Sequence, residues 1–312
     1  MSVLRDSRLS AAVTVITYLR PRGLGALLNS LAAQRGSDGA VSLIVVDNDA
    51  AGSARPVVEA ARSAVPWPIA YAVEPVRNIA LARNRAVALA LAGGAELVAF
   101  IDDDDLAPPH WLHELRRVQR ETGADVVTGP VVPLLHRGAP GWATPGLFTH
   151  SRSRSTGTVV ATAVTSNSLV SAGILAALDG PFDPEFGLAG GSDSHLFLRA
   201  TQRGARIVWA NDAFVNETID AARTNLRWVL QRAYREGNCG AHVERRVLRR
   251  WRTRRLAKAV ARLVLGVAAA AGALVGGRQA LVSALRQIVM ACGAIAGTAG
   301  HRYFEYRRPR GE

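Results

Sequence analysis

The stretch FIDDDDLAPPHWL (residues 100–112) places four consecutive aspartates directly after an apolar run. Carboxylates this close together repel one another and raise one another's pKa, so we expect a cation among them. The apolar residues before the aspartates are rich in β-formers and predict a buried strand over 96–105. The stretch therefore predicts a strand that ends in an acidic, cation-binding turn.

Upstream of the aspartates, strand-like and helix-like segments alternate. Strands are predicted at 11–19, 41–49 and 68–75, and helices at 23–34, 54–64 and 78–94. The strands are apolar throughout, which is typical of a parallel sheet covered by helices on both faces. The sequence therefore predicts an α/β fold. No predicted strand is followed by GxGxxG or GxxxxGK[ST], so the dinucleotide and P-loop fingerprints are missing.

Polar side chains gather where the predicted strands end, which is the edge at which open α/β sheets bind ligands: Thr17, Tyr18, Asp47, Glu74 and Asp102 to Asp105. The hard cations Mg²⁺ and Mn²⁺ prefer such oxygen ligands. We expect a metal that neutralises the aspartates and clamps a diphosphate. The alternative is an acidic cap on the helix predicted at HWLHELRRVQRE (110–121).

The second half of the chain is more mixed. Strands are predicted at 126–135, 162–171 and 205–217, a helix at 190–204, and a Gly-, Pro-, Ser- and Arg-rich loop at 137–160. The two cysteines lie far apart without a CxxC motif, which suits a reducing compartment. The N-terminus reads as a short polar lead and lacks the apolar stretch of a signal peptide.

Several segments resemble the nucleotide-sugar half of the family-2 glycosyltransferases, inverting enzymes with the GT-A fold. They are VTVITYLRP (13–21), VVDN (45–48), NIALARN (78–84) and the acidic stretch itself. FDPEFGLAGGSDSHLFLR (182–199) is similar to the family segment that carries the catalytic base, and residues 209–238 resemble the stretch after it. The likeness is strongest to the glucosyltransferases of succinoglycan assembly, which add a sugar to a lipid-linked oligosaccharide. It implies a GT-A nucleotide-diphospho-sugar transferase fold, with a Rossmann-like mixed sheet.

The resemblance implies six residues around the donor nucleotide: Thr17, Tyr18, Arg20, Asp47, Arg83 and Asn84. The first three would border the nucleobase, Asp47 would accept hydrogen bonds from the base or ribose, and the last two would face the nucleotide from a helix. Asp47 keeps the alternative of a helix cap, and Arg83 that of a surface arginine.

The resemblance also implies that Asp102 and Asp104 are the family's DxD pair. Asp102 would point at the ribose and the metal, and Asp104 would bind Mn²⁺ or Mg²⁺ directly. Asp103 would lie on the donor side as well. Asp105 has the alternative of capping the next helix.

Asp193 is implied as the catalytic base, because an inverting transfer needs a carboxylate that takes the proton of the acceptor hydroxyl. The alternative is a helix N-cap, formed by Ser192 or Asp193. Ser192 and His195 stand where the family often has acidic residues, and a different acceptor is expected if a second carboxylate there helps to hold it. His195 is expected to be structural or to lie on the acceptor side rather than to bind a metal. Further candidates follow: Trp209 for a sugar face or the core, and Arg223, Arg232 and Arg235 for a phosphate or a solvated basic face.

The C-terminal part is basic and apolar. From Arg223 onward, nineteen Lys and Arg stand against four acids, a net charge of +15, whereas the first 222 residues carry −2. The basic run at 245–258 and the apolar runs at 263–277 and 279–300 predict a helix on an anionic leaflet, followed by an apolar hairpin that dips into it. Helices packed on the catalytic domain are the alternative, and a nucleic-acid tail fits the apolar density poorly.

The sequence thus predicts a catalytic domain at 1–240 and a membrane-associating tail at 241–312. The expected activity is metal-dependent, inverting transfer from a nucleotide sugar such as UDP-glucose to a lipid-linked glycan. We expect the protein at the cytoplasmic face of the inner membrane, without a nucleic-acid partner. A sugar-nucleotide pyrophosphorylase and an inactive sugar- or membrane-binding module are the alternatives.

Overall fold

The computed structural model describes residues 10–36, 39–149, 153–248 and 251–304. The predicted polar lead before residue 10, and the part of HRYFEYRR (301–308) beyond residue 304, lie outside the described residues.

The N-terminal half forms the parallel part of a seven-stranded sheet. Its elements are β1 (Ala11–Thr17), α1 (Pro21–Ala32), β2 (Val41–Asp47), α2 (Arg55–Ala61), β3 (Ile69–Val73), α3 (Ile79–Ala92) and β4 (Leu97–Ile101). The four strands pair in parallel in the order β3-β2-β1-β4. Their carboxyl ends therefore meet at one edge, as the alternation of segments predicts, and the α/β prediction is confirmed.

The second half completes this sheet with strands of both directions. β8 (Asn167–Ser171) runs antiparallel between β4 and β6 (Val126–Thr128), and β9 (Ile207–Trp209) is parallel to β6. The remaining helices of this part are α4 (Trp111–Thr122), α5 (Ala172–Ala177) and α6 (Ser192–Gln202). Helices α1, α2 and α4 bury one face of the sheet, and α3, α5 and α6 bury the other. The sheet is mixed, as the GT-A fold requires.

A small second sheet consists of β5 (Asp105–Leu106), β10 (Val215–Ile219) and β7 (Val131–Leu135). The single strands predicted at 126–135 and 205–217 are therefore each two strands, one in each sheet. The two segments cross at Gly129, where a Cβ would overlap the carbonyl oxygen of Ala213. This second sheet places Glu217 of β10 opposite Asp105 of β5.

The chain ends in helices. α7 (Leu226–Val247) is followed by α8 (Trp251–Thr298), which Gly277 breaks at φ 71° and ψ −173°. We call Arg252–Ala273 the first arm and Gly277–Thr298 the second arm. By length and composition alone, both arms qualify as candidate membrane spans. The two arms fold back on each other, so that Gly266 approaches Ile288, and the predicted domain boundary at 240 falls within α7.

The second arm packs closely on α7 through glycines. A Cβ at Gly237 would overlap the Met290 carbonyl oxygen, and one at Gly293 would overlap that of Tyr234. The first arm is mostly exposed, with large apolar side chains pointing outward at Leu256, Val260, Val264, Leu265 and Val267. The predicted basic helix at 245–258 is divided between the end of α7 and the start of the first arm.

Candidate active site

The acidic turn after β4 forms ion pairs with arginines from three separate parts of the chain, two of which contact Asp104. Arg20 Nη1 donates to Asp103 Oδ1 at 3.1 Å and to Asp104 Oδ2 at 3.0 Å. Arg223 Nη2 donates to the same Asp104 oxygen at 2.8 Å. Although burial would raise the pKa of Asp104, Arg223 and Arg20 hold it below the ordinary value. Asp104 is therefore ionised and already surrounded by positive charge.

Asp103 contacts the end of β1. It is buried, and its Oδ2 accepts a hydrogen bond from Thr17 Oγ1 at 2.7 Å. Burial raises the pKa of Asp103 to about 7, against the opposing charge of Arg20. Asp103 therefore holds Thr17 and Arg20 in place at the carboxyl end of β1.

Asp105 does not cap α4, because His110 occupies the N-cap position and no side chain caps that helix. Its side chain is buried next to the other acids, and its Oδ1 has no hydrogen-bond partner among the described residues. Burial, followed by the charges of Asp104, Asp102 and Glu217, raises the pKa of Asp105 well above the ordinary value. The capping alternative is wrong, and the buried Asp105 Oδ1 remains available to a ligand.

The residues of the turn fit a divalent cation. Asp102, Asp104 and Asp105 each offer one oxygen, and these oxygens lie within 4.8 Å of one another. Hard cations bind carboxylate oxygens. A bound cation would give the buried Asp105 Oδ1 the partner that it lacks among the described residues. The predicted pair of Asp102 and Asp104 thus gains Asp105 as a third candidate ligand.

Arg83 joins the acidic turn to the segment of the predicted base. Its Nη2 donates to Asp102 Oδ1 at 3.2 Å, and its Nη1 donates to Ser192 Oγ at 3.0 Å. Asp193 follows in the first turn of α6, after Gly191 at φ 90°. Burial raises the pKa of Asp102, Arg83 counteracts it, and the charges of Asp104 and Asp193 add to it. The two halves of the predicted site therefore face one another.

Two predicted donor residues have structural partners. Asp47 is fully buried: its Oδ1 accepts from Asp49 N, and its Oδ2 accepts from Ala54 N and Tyr71 Oη. Its exposed surface is zero, and its contacts organise the loop before α2, whereas no side chain caps α2 itself. The amide of Asn84 bonds both backbone groups of Phe182, at 2.7 and 2.9 Å. Asn84 thus holds the segment before the base.

Other predicted residues lie around this edge. Tyr18 is partly exposed, with the guanidinium of Arg77 5.2 Å from its ring centre. His195 is buried and stacks on Phe186 at 4.8 Å, and burial lowers its pKa to about 4. Trp209 is buried in β9, in accordance with its core alternative.

Glu217 was not predicted from the sequence. Its Oε1 accepts from Arg223 Nη1 at 3.2 Å, and burial raises its pKa. Arg223 is thereby held between Glu217 and Asp104 and faces the metal ligands. The nearby charge of Arg232 opposes this rise in the Glu217 pKa without cancelling it. The only sequence signal for Glu217 was its place as the last residue of the strand predicted at 205–217.

A mixed α/β sheet with clustered carboxylates at the carboxyl edge of its parallel strands, facing a second acidic segment, defines a GT-A-type transferase. Residues 12–178 match the sequence profile of Glycosyl transferase family 2. The chain belongs to this family and is a glycosyltransferase. The prediction from resemblance is confirmed, and neither the pyrophosphorylase nor the inactive module is supported.

One relative by sequence is the succinoglycan biosynthesis protein ExoM of Rhizobium meliloti (strain 1021). It is 34% identical over 226 residues, which cover 72% of each chain.

Two solved structures share the fold. The Staphylococcus aureus TarS 1–349 complex with UDP aligns with a TM-score of 0.56 at 19% identity, over 94% of this chain and 92% of that one. The longer TarS chain is covered to 55%. The mannosyltransferase PcManGT of Pyrobaculum calidifontis, in complex with GDP-Man and Mn²⁺, aligns with a TM-score of 0.61 at 16% identity, over 94% and 88%.

Proposed function

We propose that this glycosyltransferase is metal-dependent and inverting, and that it transfers a sugar from a UDP-sugar to a lipid-linked glycan during exopolysaccharide synthesis. The observation that carries the proposal is the placement of Asp193 opposite the carboxylates of Asp102, Asp104 and Asp105, with Arg83 bonded to both sides. A base and a metal-binding group on opposite sides of one site suit an in-line displacement at a sugar carbon.

Asp193 supplies the proton acceptor of the reaction. Ser194 N donates to its Oδ1 at 2.7 Å, and no described residue donates to its Oδ2. The free oxygen can take the proton of an acceptor hydroxyl as that oxygen attacks the anomeric carbon. A bound Mn²⁺ or Mg²⁺ would be held by Asp102, Asp104 and Asp105, and it would stabilise the negative charge of the departing diphosphate.

Arg20 and Arg223 complement the metal on the donor side. Both guanidinium groups now share the Oδ2 atom of Asp104, and guanidinium groups bind phosphate oxygens with two parallel hydrogen bonds. UDP and UDP-GlcNAc are bound in structures of TarS, and Mn²⁺ accompanies GDP-Man in PcManGT. These neighbours support a nucleotide diphosphate here, with Thr17 and Tyr18 at the base.

The acceptor and the location follow from the relative and the tail. ExoM is a succinoglycan biosynthesis protein, and the exposed apolar residues of the first arm lie in the basic part of this chain. Apolar surface flanked by arginines suits an anionic lipid leaflet. We infer an acceptor on a lipid at the cytoplasmic face of the inner membrane.

Calorimetric titration of UDP, with and without Mn²⁺, tests the metal-dependent donor site. We expect UDP to bind only with the metal and Asp104→Ala to abolish this binding, because the variant loses a ligand oxygen and the partner of two arginines. Asp179→Ala removes an exposed carboxylate elsewhere and should bind as the wild type does. Unchanged metal-dependent affinity in Asp104→Ala would refute the assignment.

A further inference from the structure

A second charged concavity lies behind the segment of Asp193. A cavity of about 300 Å³ opens between the turn at 185–190, the last turns of α7 and the segment after α8. This volume is at the lower end of the range for small-molecule sites. None of its lining residues belongs to the acidic turn, so it is distinct from the donor side.

The wall of the cavity is fixed by hydrogen bonds. Cys239 Sγ donates to the Ala189 carbonyl at 2.9 Å, which ties α7 to the turn before the base. Asn238 binds the segment after α8 twice, since its Nδ2 donates to His301 O at 2.9 Å and its Oδ1 accepts from Tyr303 N at 3.0 Å. The cavity is therefore preformed, which lowers the entropic cost of filling it.

Three arginines line the cavity: Arg245, Arg246 and Arg302. Glu185 pairs with Arg246 at 3.5 Å and with Arg302 at 3.2 Å, and Asp183 pairs with Arg246 at 3.3 Å, but about half of each arginine side chain is exposed. Pairs this exposed are weak and can exchange for a stronger acceptor. Arg245 forms no ion pair with a described carboxylate. Several guanidinium groups around one space are suited to a phosphate rather than to a neutral sugar.

The position of the cavity indicates which phosphate would enter it. Gly190 lines one wall, three residues before Asp193. On the opposite side α7 leads into the first arm, where Arg255 donates to the Gly237 carbonyl at 2.8 Å. The exposed apolar residues of that arm begin at the next residue, Leu256. The cavity thus lies between the base and the surface that suits lipid.

We propose that this cavity binds the phosphate ester that joins the acceptor glycan to its lipid. The inference rests on the proposed transfer to a lipid-linked acceptor and adds the site that would hold its anionic group. The glycan end would then reach Asp193, while the lipid chain would leave along the first arm.

Calorimetry on the full-length protein in detergent and EDTA tests this site with geranyl diphosphate, inorganic diphosphate and geraniol. We expect the wild type to bind the two diphosphates and not the alcohol. Arg245→Ala/Arg302→Ala should weaken this binding by at least about tenfold, because charge-assisted hydrogen bonds to phosphate are lost. Arg120→Ala/Arg203→Ala removes the same charge from exposed positions outside both the cavity and the first arm and should have no effect.

The proposal is overturned if the wild type binds neither diphosphate, if geraniol binds as tightly as its diphosphate, or if the two double variants behave alike. UDP with Mn²⁺ is titrated in parallel. Loss of UDP binding in the wild type would count against the proposed function, whereas intact UDP binding without diphosphate binding would reject the cavity alone.

Discussion

At the scale of the residue, the site is organised by arginines that each contact two acids or an acid and a hydroxyl. Arg20 joins Asp103 to Asp104, Arg223 joins Asp104 to Glu217, and Arg83 joins Asp102 to Ser192. Four adjacent aspartates are tolerable because these guanidinium groups reduce their mutual repulsion. The same contacts set the directions of the Asp102, Asp103 and Asp104 carboxylates before any ligand arrives.

Asp193→Asn tests the base at this scale. The amide keeps the shape of the side chain but cannot take a proton, so transfer should fall by about 10² or more while UDP affinity is kept. Product formation and UDP titration on the same preparation measure the two effects. Asp179→Asn makes the same change at an exposed position and should leave both unaltered. Near-normal turnover in Asp193→Asn would place the base elsewhere.

The sequence predicted the acidic turn and its neighbours well, because local motifs determine where a strand ends. It could not predict which polar side chains form hydrogen bonds within the protein instead of facing a ligand. Asp47 and Asn84 stand in the expected motifs, yet the former binds Ala54 N and Tyr71 Oη and the latter binds the backbone of Phe182. Partners this distant in sequence are set by the tertiary fold. Glu217 was missed for the same reason.

At the scale of the element, the sequence predicted the helices and the parallel strands but merged the crossing segments. The runs at 126–135 and 205–217 are mostly of strand composition, and each is predicted as one strand despite the turn signals Gly129-Pro130 and Asn211-Asp212. The break is at Gly129, where the close approach of the Ala213 carbonyl leaves no room for a side chain. A glycine in a strand marks such an approach, although it does not reveal the partner.

A glycine also allows close packing between α7 and the second arm, and Gly293→Ala tests this packing. The added methyl group would overlap the Tyr234 carbonyl, so α7 and the second arm must separate. Overpacking of this kind costs about 1–3 kcal/mol, and the midpoint of thermal unfolding should fall. Gly272→Ala adds the same group where, among the described residues, no atom beyond its chain neighbours and its own helix backbone lies within 4 Å, and it should not lower the midpoint. Equal midpoints for the two variants would contradict this packing.

At the scale of the whole molecule, charge and apolar surface are divided between the two ends. The first 222 residues are close to neutral and hold the acidic turn, whereas the rest carries a net charge of +15. Deleting residues 245–312 is a poor test of this division. The second arm covers the buried face of α7, so the deletion would expose Gly237 and Asn238 as well as remove the arms. Single substitutions on the first arm avoid this problem.

Val264→Glu tests whether the first arm enters the lipid. Val264 is 61% exposed and lies on the outer side of the arm, so the protein should fold with a glutamate there. Burying a valine contributes about 1.5–3 kcal/mol, so its loss should lower partitioning onto anionic liposomes by at least about tenfold. Flotation measures this effect, and high salt should release little of the wild type because buried apolar surface is not screened.

Val159→Glu is the matched control for this experiment. Val159 is 62% exposed, receives the same charge change and lies in the catalytic part of the chain. It should float with the liposomes like the wild type, and both variants should bind UDP and Mn²⁺ normally. If the two variants float equally well, the first arm does not enter the lipid. Its exposed apolar residues would then have to be covered by protein, and the location proposed for the acceptor would lose its support.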